Sequence, residues 1–352
     1  MPSAGLVVAR PTEGLDRMRA LAAEMPVAFG DGFRTGRELA FALREPAPRL
    51  YAVGMGASGI VADFARSLVD SETRSELTVV RGPELPHAVD SRAHVLLTSY
   101  SGNTWETVRA YDAAGRSGAA RTVLASGGAL VAKAEADGVP ILRVPPGLPP
   151  RSAIGHLLGG MMGLLDGLFP ESNDARVARA VERVRGDVGR LGSPRGPAAA
   201  LAEGIGDRLP FFYAEGSFSP LARRWGTQVE ENAKRLAVFD EIPELFHNAI
   251  VGWDAVTKTE AQRFVAVLLE WSGADPTVRK SLRYLERLLR ARGVRTLKVP
   301  LSPEDRLEAL LGGIALGDLV SLFLAQRRHV DPLPVDAIGR LKAALGTKSG
   351  VA

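Results

Sequence analysis

Six consecutive residues, Ser99-Tyr100-Ser101-Gly102-Asn103-Thr104, place three hydroxyls and a glycine directly after the apolar run Val95-Leu96-Leu97. A helical pattern follows through Ala113. Each hydroxyl at such a junction can donate to a phosphate oxygen, and the start of the helix adds free backbone N–H groups. One Ser or Thr would be accounted for as a helix cap; three in one loop point to a bound anion. A second loop, Gly54-Met55-Gly56-Ala57-Ser58-Gly59, also joins an apolar run to a helical stretch. Its glycines let the backbone approach an anion, and Ser58 adds a hydroxyl. Gly54-x-Gly56-x-x-Gly59 also fits the glycines of a dinucleotide fingerprint. That fingerprint wants an acid on the next strand, and Leu77–Val80 is followed by Arg81. A glycine turn with no ligand is the third reading.

These loops need strands to launch them and helices to receive them. Short apolar runs at 50–53, 77–80, 95–97, 122–124 and 141–144 alternate with helical patterns at 60–69, 105–113 and 129–136. That rhythm predicts a parallel α/β sheet covered on both faces. A Pro-rich turn, 147–151, holds Arg151 rigidly and leads into an apolar helix over 152–168. The charged stretch 171–196 contains Gly192-Ser193-Pro194 and is the expected linker, with a helix at 176–191. The rhythm then restarts: strands at 211–214, 264–269 and 296–299, helices at 221–236, 278–292, 303–326 and 335–345. Tyr51-x-x-Gly54-x-Gly56-x-Ser58 parallels Tyr213-x-x-Gly216-x-x-Ser219. The expected organisation is a helical segment over 1–45, an α/β domain over 46–170, the linker 171–196, and a second α/β domain with C-terminal helices over 197–352.

Composition narrows the function classes. At roughly 150 residues per domain, 352 residues suit two domains, and 46% apolar with 24% charged residues is ordinary for a folded protein. The absence of cysteine excludes disulfide scaffolds, thiolate metal sites and cysteine nucleophiles. A net charge of +4, with no Lys/Arg block, gives no reason to expect a nucleic-acid or membrane partner. The stretch Leu157–Leu165 is too short for a membrane span, and residues 1–30 lack a signal-peptide pattern; a cytoplasmic protein is expected. His87, His94, His156 and His329 show no ligand spacing with acids, so no metal or cofactor is expected.

The two loops together resemble the sugar isomerase (SIS) domain. Further segments resemble one subgroup, the bifunctional phosphoglucose/phosphomannose isomerases. They are Pro150-Arg151-Ser152-Ala153, Glu231-Asn232-Ala233-Lys234, Pro243-Glu244-Leu245-Phe246-His247-Asn248, and a tail running from Gly317-Asp318 through Val330-Asp331-Pro332 to Ile338-Gly339-Arg340-Leu341-Lys342. The resemblance spans about residues 40 to 345 and implies two SIS-type domains, each a parallel sheet flanked by helices. It implies an aldose–ketose isomerase of glucose or mannose 6-phosphate and fructose 6-phosphate, working by a proton shuttle through a cis-enediol. By the same resemblance Gly56, Ser58, Ser99, Ser101 and Thr104 hold the substrate phosphate. Glu231 is the base, His247 opens the ring from a neighbouring subunit, Arg151 stabilises the enediolate and Lys342 lies near the substrate. The chemistry suits these types: a carboxylate can carry a proton between adjacent carbons, imidazole titrates near neutrality, and guanidinium stabilises developing negative charge. A homodimer with shared sites follows.

The chain also departs from that pattern. Relatives read Asn-His-Asn-Glu around the histidine, where this chain has Phe246 and Ala249 as flanks, and Gly-Gly-Ser in the first loop, where Ala57 precedes Ser58. The missing carboxylate leaves room for a rival, a non-catalytic phosphosugar sensor that needs only the hydroxyl loop. A third reading, an amino-sugar-phosphate isomerase, is not supported by the tail.

Overall fold

Leu50 and Ala52 face one side of their strand and Tyr51 and Val53 the other, and all are buried. A strand buried on both faces belongs inside a sheet covered on both sides. The computed structural model, which describes residues 11–40, 49–73, 75–301 and 305–344, shows this arrangement twice. After helix α1 (Pro11–Ala40) the first half runs β1 (Arg49–Gly54), α2 (Gly56–Glu72), β2 (Leu77–Val80), β3 (Ala93–Thr98), α3 (Trp105–Arg116), β4 (Ala120–Ala125), α4 (Gly128–Ala136) and β5 (Ile141–Arg143). All pairings are parallel and the order is β2-β1-β3-β4-β5. A 3-10 turn, Pro150–Ala153, then leads to α5 (Ile154–Leu164), α6 (Asp174–Leu191) and α7 (Pro197–Ile205).

The second half runs β6 (Leu209–Glu215), α8 (Ser219–Ala233), β7 (Val238–Ile242), α9 (Ala249–Ala255), α10 (Lys258–Ala261), β8 (Phe264–Trp271), α11 (Pro276–Ala291) and β9 (Arg295–Leu301). Its sheet is also parallel, ordered β7-β6-β8-β9. Helices α12 (Arg306–Arg327) and α13 (Asp336–Ala344) follow. The two strand orders match, so the sequence parallel between Tyr51 and Tyr213 marks an architectural repeat. The expected fold class, α/β with two parallel sheets flanked by helices, is the observed one.

One continuous core joins the halves. The inward faces of both sheets (Leu50, Ala52 and Leu96; Phe212, Val265 and Val267) share a cluster with α1, α2, α5, α6, α8 and α12. Separate outer cores lie beneath α3 and α4 on the first sheet and beneath α9 and α11 on the second. Residues 171–196, expected as a linker, contain α6, which buries Val177, Ala180, Val184, Val188 and Leu191 and packs on α1 and α12. Helix α12 is long and apolar enough to cross a membrane by composition, but its apolar side chains are buried inside the protein.

The end of α8 and the strand after it differ from the expectation. The helix expected to reach Leu236 stops at Ala233, because Lys234 turns left-handed at φ 53°. Strand β7 was not expected. It lies at the edge of its sheet, and Asp240 and Glu241 interrupt its apolar character.

The abundant glycine has a packing role where α1 crosses α5. A Cβ on Gly159 would lie 2.0 Å from the Phe29 carbonyl oxygen, and one on Gly163 would lie 2.1 Å from that of Phe33. The two backbones touch, so a side chain there must push the helices apart. Gly186, on the exposed face of α6, has open space around it. Gly159→Val should therefore lower the unfolding free energy by about 3 kcal/mol, whereas Gly186→Ala should raise it by about 0.5–1 kcal/mol. Denaturant titration of both variants checks the opposite signs.

Candidate active site

In a parallel sheet of order 2-1-3-4 the chain leaves in opposite directions from the first and third strands. The crevice at their carboxyl ends is where ligands bind. Here that crevice lies between β1 and β3, where Gly54 pairs in register with Thr98. The register puts the glycine loop and the hydroxyl loop side by side. The backbone N–H of Tyr100 donates to Ser58 Oγ at 3.3 Å, closing one loop onto the other. Ser99 Oγ donates to Thr104 Oγ1 at 2.9 Å, and Ser101 Oγ accepts from the Asn103 N–H at 3.3 Å. The structure thus gathers Ser58, Ser99, Ser101 and Thr104. Gly56 opens α2 beside them at φ 53°, a conformation that suits glycine.

None of these hydroxyls caps a helix. Helix α3 starts after Thr104, and α2 after Met55, without a side-chain cap bond. Ser58 and Ser101 act as acceptors and Thr104 accepts from Ser99, so each retains an O–H to donate. Two helix starts and three uncommitted hydroxyls at one crevice form a cradle for an anion. Gly102 is needed to build it: at φ 65°, a Cβ there would lie 1.7 Å from the Gly127 carbonyl oxygen.

Tyr100 ties this cradle to the next part of the site. Its hydroxyl donates to the Pro145 carbonyl at 2.9 Å and accepts from the Leu148 N–H at 2.7 Å. Burial pushes its phenol pKa up, so it stays a neutral donor. The segment it holds leads into the turn that carries Arg151.

Arg151 is 2% exposed. A guanidinium so deeply buried must have its donors satisfied. Nε donates to Asn232 Oδ1 at 2.7 Å, and Nη2 donates to the carbonyls of Pro332 at 2.5 Å and Leu333 at 3.1 Å. Nη1 is the nitrogen that faces Glu231, 3.5 Å from Oε2. Burial lowers the Arg151 pKa and Glu231 opposes that shift. The Arg151 carbonyl is held in turn by Arg224 Nη2 at 3.1 Å. Arg224 pairs with Asp318, at 3.0 Å from Nε to Oδ1 and 2.6 Å from Nη2 to Oδ2. Asn232 Nδ2 donates to Gln228 Oε1 and Ser321 Oγ. Among the described residues, Arg224 Nη1 is a buried donor without a partner.

Sequence reasoning singled out Arg151 and Glu231, and the structure brings them together. It passed over the residues that fix them: Asn232, Arg224, Asp318 and the carbonyls of the 332–333 turn. Asp318 carried a signal, since it is the one charge in the apolar run 309–325 and so requires a buried partner. His247 and Lys342 lie on other elements. His247 ends the 3-10 turn Glu244–His247 beyond β7 and is exposed, with no hydrogen bond or ion pair among the described residues. Lys342 lies in the last turn of α13, a helix with no buried residue.

The matching crevice of the second sheet is built differently. Glu215 accepts from the N–H and hydroxyl of its neighbour Ser217, and Asp275 caps α11 by accepting from the Thr277 N–H at 2.7 Å. The Trp271 indole lies against Gly273. Carboxylates and a ring stand where the first sheet presents hydroxyls, which disfavours an anion. Among the described residues, no group of three His, Asp or Glu side chains is placed to hold a metal.

Comparison with known proteins agrees with this fold. Residues 195–345 match the family described as the bacterial phospho-glucose isomerase C-terminal SIS domain. The bifunctional phosphoglucose/phosphomannose isomerase of Aquifex aeolicus is 31% identical over 293 residues, 83% of this chain and 88% of that protein. The enzyme of the same name from Caldicellulosiruptor bescii is 30% identical over 334 residues, 91% and 96% of the two chains. The C-terminal domain of glucosamine-fructose-6-phosphate aminotransferase from Francisella tularensis superposes with a TM-score of 0.71 at 14% identity, covering 90% of this chain and 98% of that one. With this identity over nearly its whole described length, and the double-sheet fold to match, the chain belongs to the bifunctional phosphoglucose/phosphomannose isomerase family.

Proposed function

We propose that this protein interconverts glucose 6-phosphate and mannose 6-phosphate with fructose 6-phosphate. The observation that carries the reading is the pair Arg151–Glu231, linked through Tyr100 and the 145–148 segment to a crevice whose hydroxyls and helix starts are free to take a phosphate. A sensor needs the second feature but not the first.

The phosphate binds to Ser58, Ser99, Ser101 and Thr104 and to the backbone at Gly56. The sugar then extends towards Glu231, which is partly exposed at the end of α8. Its carboxylate removes the proton from C2 of an aldose, or C1 of the ketose, and returns it to the neighbouring carbon. The negative charge that builds on the enediolate oxygens meets Arg151 Nη1. That guanidinium is already fixed by its other contacts, so no reorganisation is needed as the charge forms. Lys342 adds a second positive charge from the tail.

Ring opening falls to His247, and topology supports its coming from a second copy. Helix α8 runs antiparallel to the strands of its sheet, so Glu231 lies near the edge where β7 begins. His247 lies beyond the end of β7. Five residues of strand at about 3.3 Å each separate the two by roughly 15 Å or more. A homodimer that places one subunit's His247 at the other's Glu231 resolves this separation.

Glu231→Gln should leave folding and phosphosugar binding in place and lower kcat by about 10³-fold or more, read by quantifying glucose 6-phosphate and mannose 6-phosphate formed from fructose 6-phosphate. Wild-type protein that binds fructose 6-phosphate without turnover would favour the sensor. Mixing subunits tests the shared site. Glu231→Gln and His247→Ala proteins, each inactive alone, should recover about a quarter of wild-type activity when randomly co-assembled, since half of the mixed dimer's sites are intact. No recovery would place His247 in its own subunit's site or outside the reaction.

A further inference from the structure

Helix α8 ends on a lysine where glycine is the usual residue. Lys234 sits at the C-terminal cap with φ 53° and ψ 42°, a left-handed conformation that a residue with a Cβ adopts at a cost. Such a residue persists where its side chain is needed. The Lys234 ammonium donates to the carbonyl of Glu231, to that of Pro332 at 3.1 Å and to that of Pro334 at 2.7 Å. The Pro332 carbonyl is also the acceptor for Arg151 Nη2. Two cations therefore hold the same turn from different sides. The turn itself is stiff: its prolines fix φ, and Asp331 Oδ1 accepts from the Leu333 N–H at 2.9 Å.

We propose that Lys234 is a positioning residue for this site: its ammonium clamps the 331–334 turn onto the end of α8. The clamped turn keeps its Pro332 and Leu333 carbonyls on Arg151 Nη2, and so keeps Nη1 towards Glu231. It also launches α13, which carries Lys342, from a fixed point. This role rests on the isomerase reading of the site.

The clamp depends on charge. Loss of water around the ammonium and the nearby Arg151 bring Lys234 down to about 8, against the pull of Asp331, Glu231 and Asp336. A neutral amine has two N–H donors for three carbonyls. The clamp therefore weakens as pH rises through about 8.

Two substitutions in the full chain separate the side chain from the backbone. Lys234→Gly removes the amine but relieves the left-handed strain, so its Tm should stay close to wild type. Its kcat on fructose 6-phosphate should fall about tenfold or more, with KM changing much less because the hydroxyl loop is untouched. Hydrogen exchange over residues 331–335 should accelerate. Lys234→Arg should restore most of kcat and hold it to about pH 10, where guanidinium does not titrate, while the wild type declines above about pH 8. If the glycine variant does not fold, Lys234→Met carries the same expectations. Wild-type kcat in the glycine or methionine variant, or unchanged exchange over 331–335, overturns the proposal. A wild type that fails to turn over fructose 6-phosphate overturns the isomerase reading, while the exchange measurement still decides the clamp.

Discussion

A guanidinium buried to 2% exposure has to be surrounded by acceptors, and around Arg151 that requirement organises the site. Leaving such a charge unpaired would cost several kcal/mol. Segments distant in sequence meet the requirement: Asn232 and Glu231 on α8 and the turn after α12 contact the side chain, while Arg224, paired with Asp318 on α12, holds the Arg151 carbonyl. These contacts tie the end of the first half to α8 and to the tail, and α8 to α12. The shared core and the shared cation are thus two aspects of one constraint. The halves cannot separate without exposing the apolar layer between them and stranding Arg151.

The duplicated architecture gives two crevices of different chemistry. Both sheets have a crevice at their strand-order switch, between β1 and β3 and between β6 and β8. The first keeps hydroxyls and uncapped helix starts. The second has Asp275 on the N-terminus of α11 and Glu215 bonded to its own loop. Those carboxylates satisfy the helix N–H groups internally, which suits a structural role. Glu231, at the opposite end of α8, faces Arg151 instead.

Much of this was legible in the residues. Short apolar runs such as Leu50–Val53, alternating with helical patterns, and the restart of that rhythm at Phe211 pointed to both sheets. Three hydroxyls in one loop singled out the segment 99–104, and the structure adds that Thr104 makes no side-chain cap bond to α3. What was not legible has physical reasons. Strand β7 lies at a sheet edge with two acids on it, so no apolar run announces it. Helix α6 was expected as a helix but inside a linker: most of its surface faces water and reads as charged, yet it buries a full apolar stripe. Above all, the residues that hold Arg151 act through backbone carbonyls and a neutral amide, and those groups leave no chemical signature in a sequence. Lys234 is the clearest case. Its type suggests a surface charge, and only its left-handed backbone and three carbonyl partners reveal a structural task.

The central claim is that the hydroxyl cradle and the Arg151–Glu231 pair are two ends of one substrate site. The most direct test is a crystal structure of the protein with a five-carbon aldonic acid 5-phosphate, whose carboxylate resembles the enediolate. The account predicts the phosphate on Ser99, Ser101 and Thr104, and the carboxylate within hydrogen-bond distance of Arg151 Nη1 with Glu231 beside it. A phosphate seated at the β6–β8 crevice, or a carboxylate pointing away from Arg151, would contradict it.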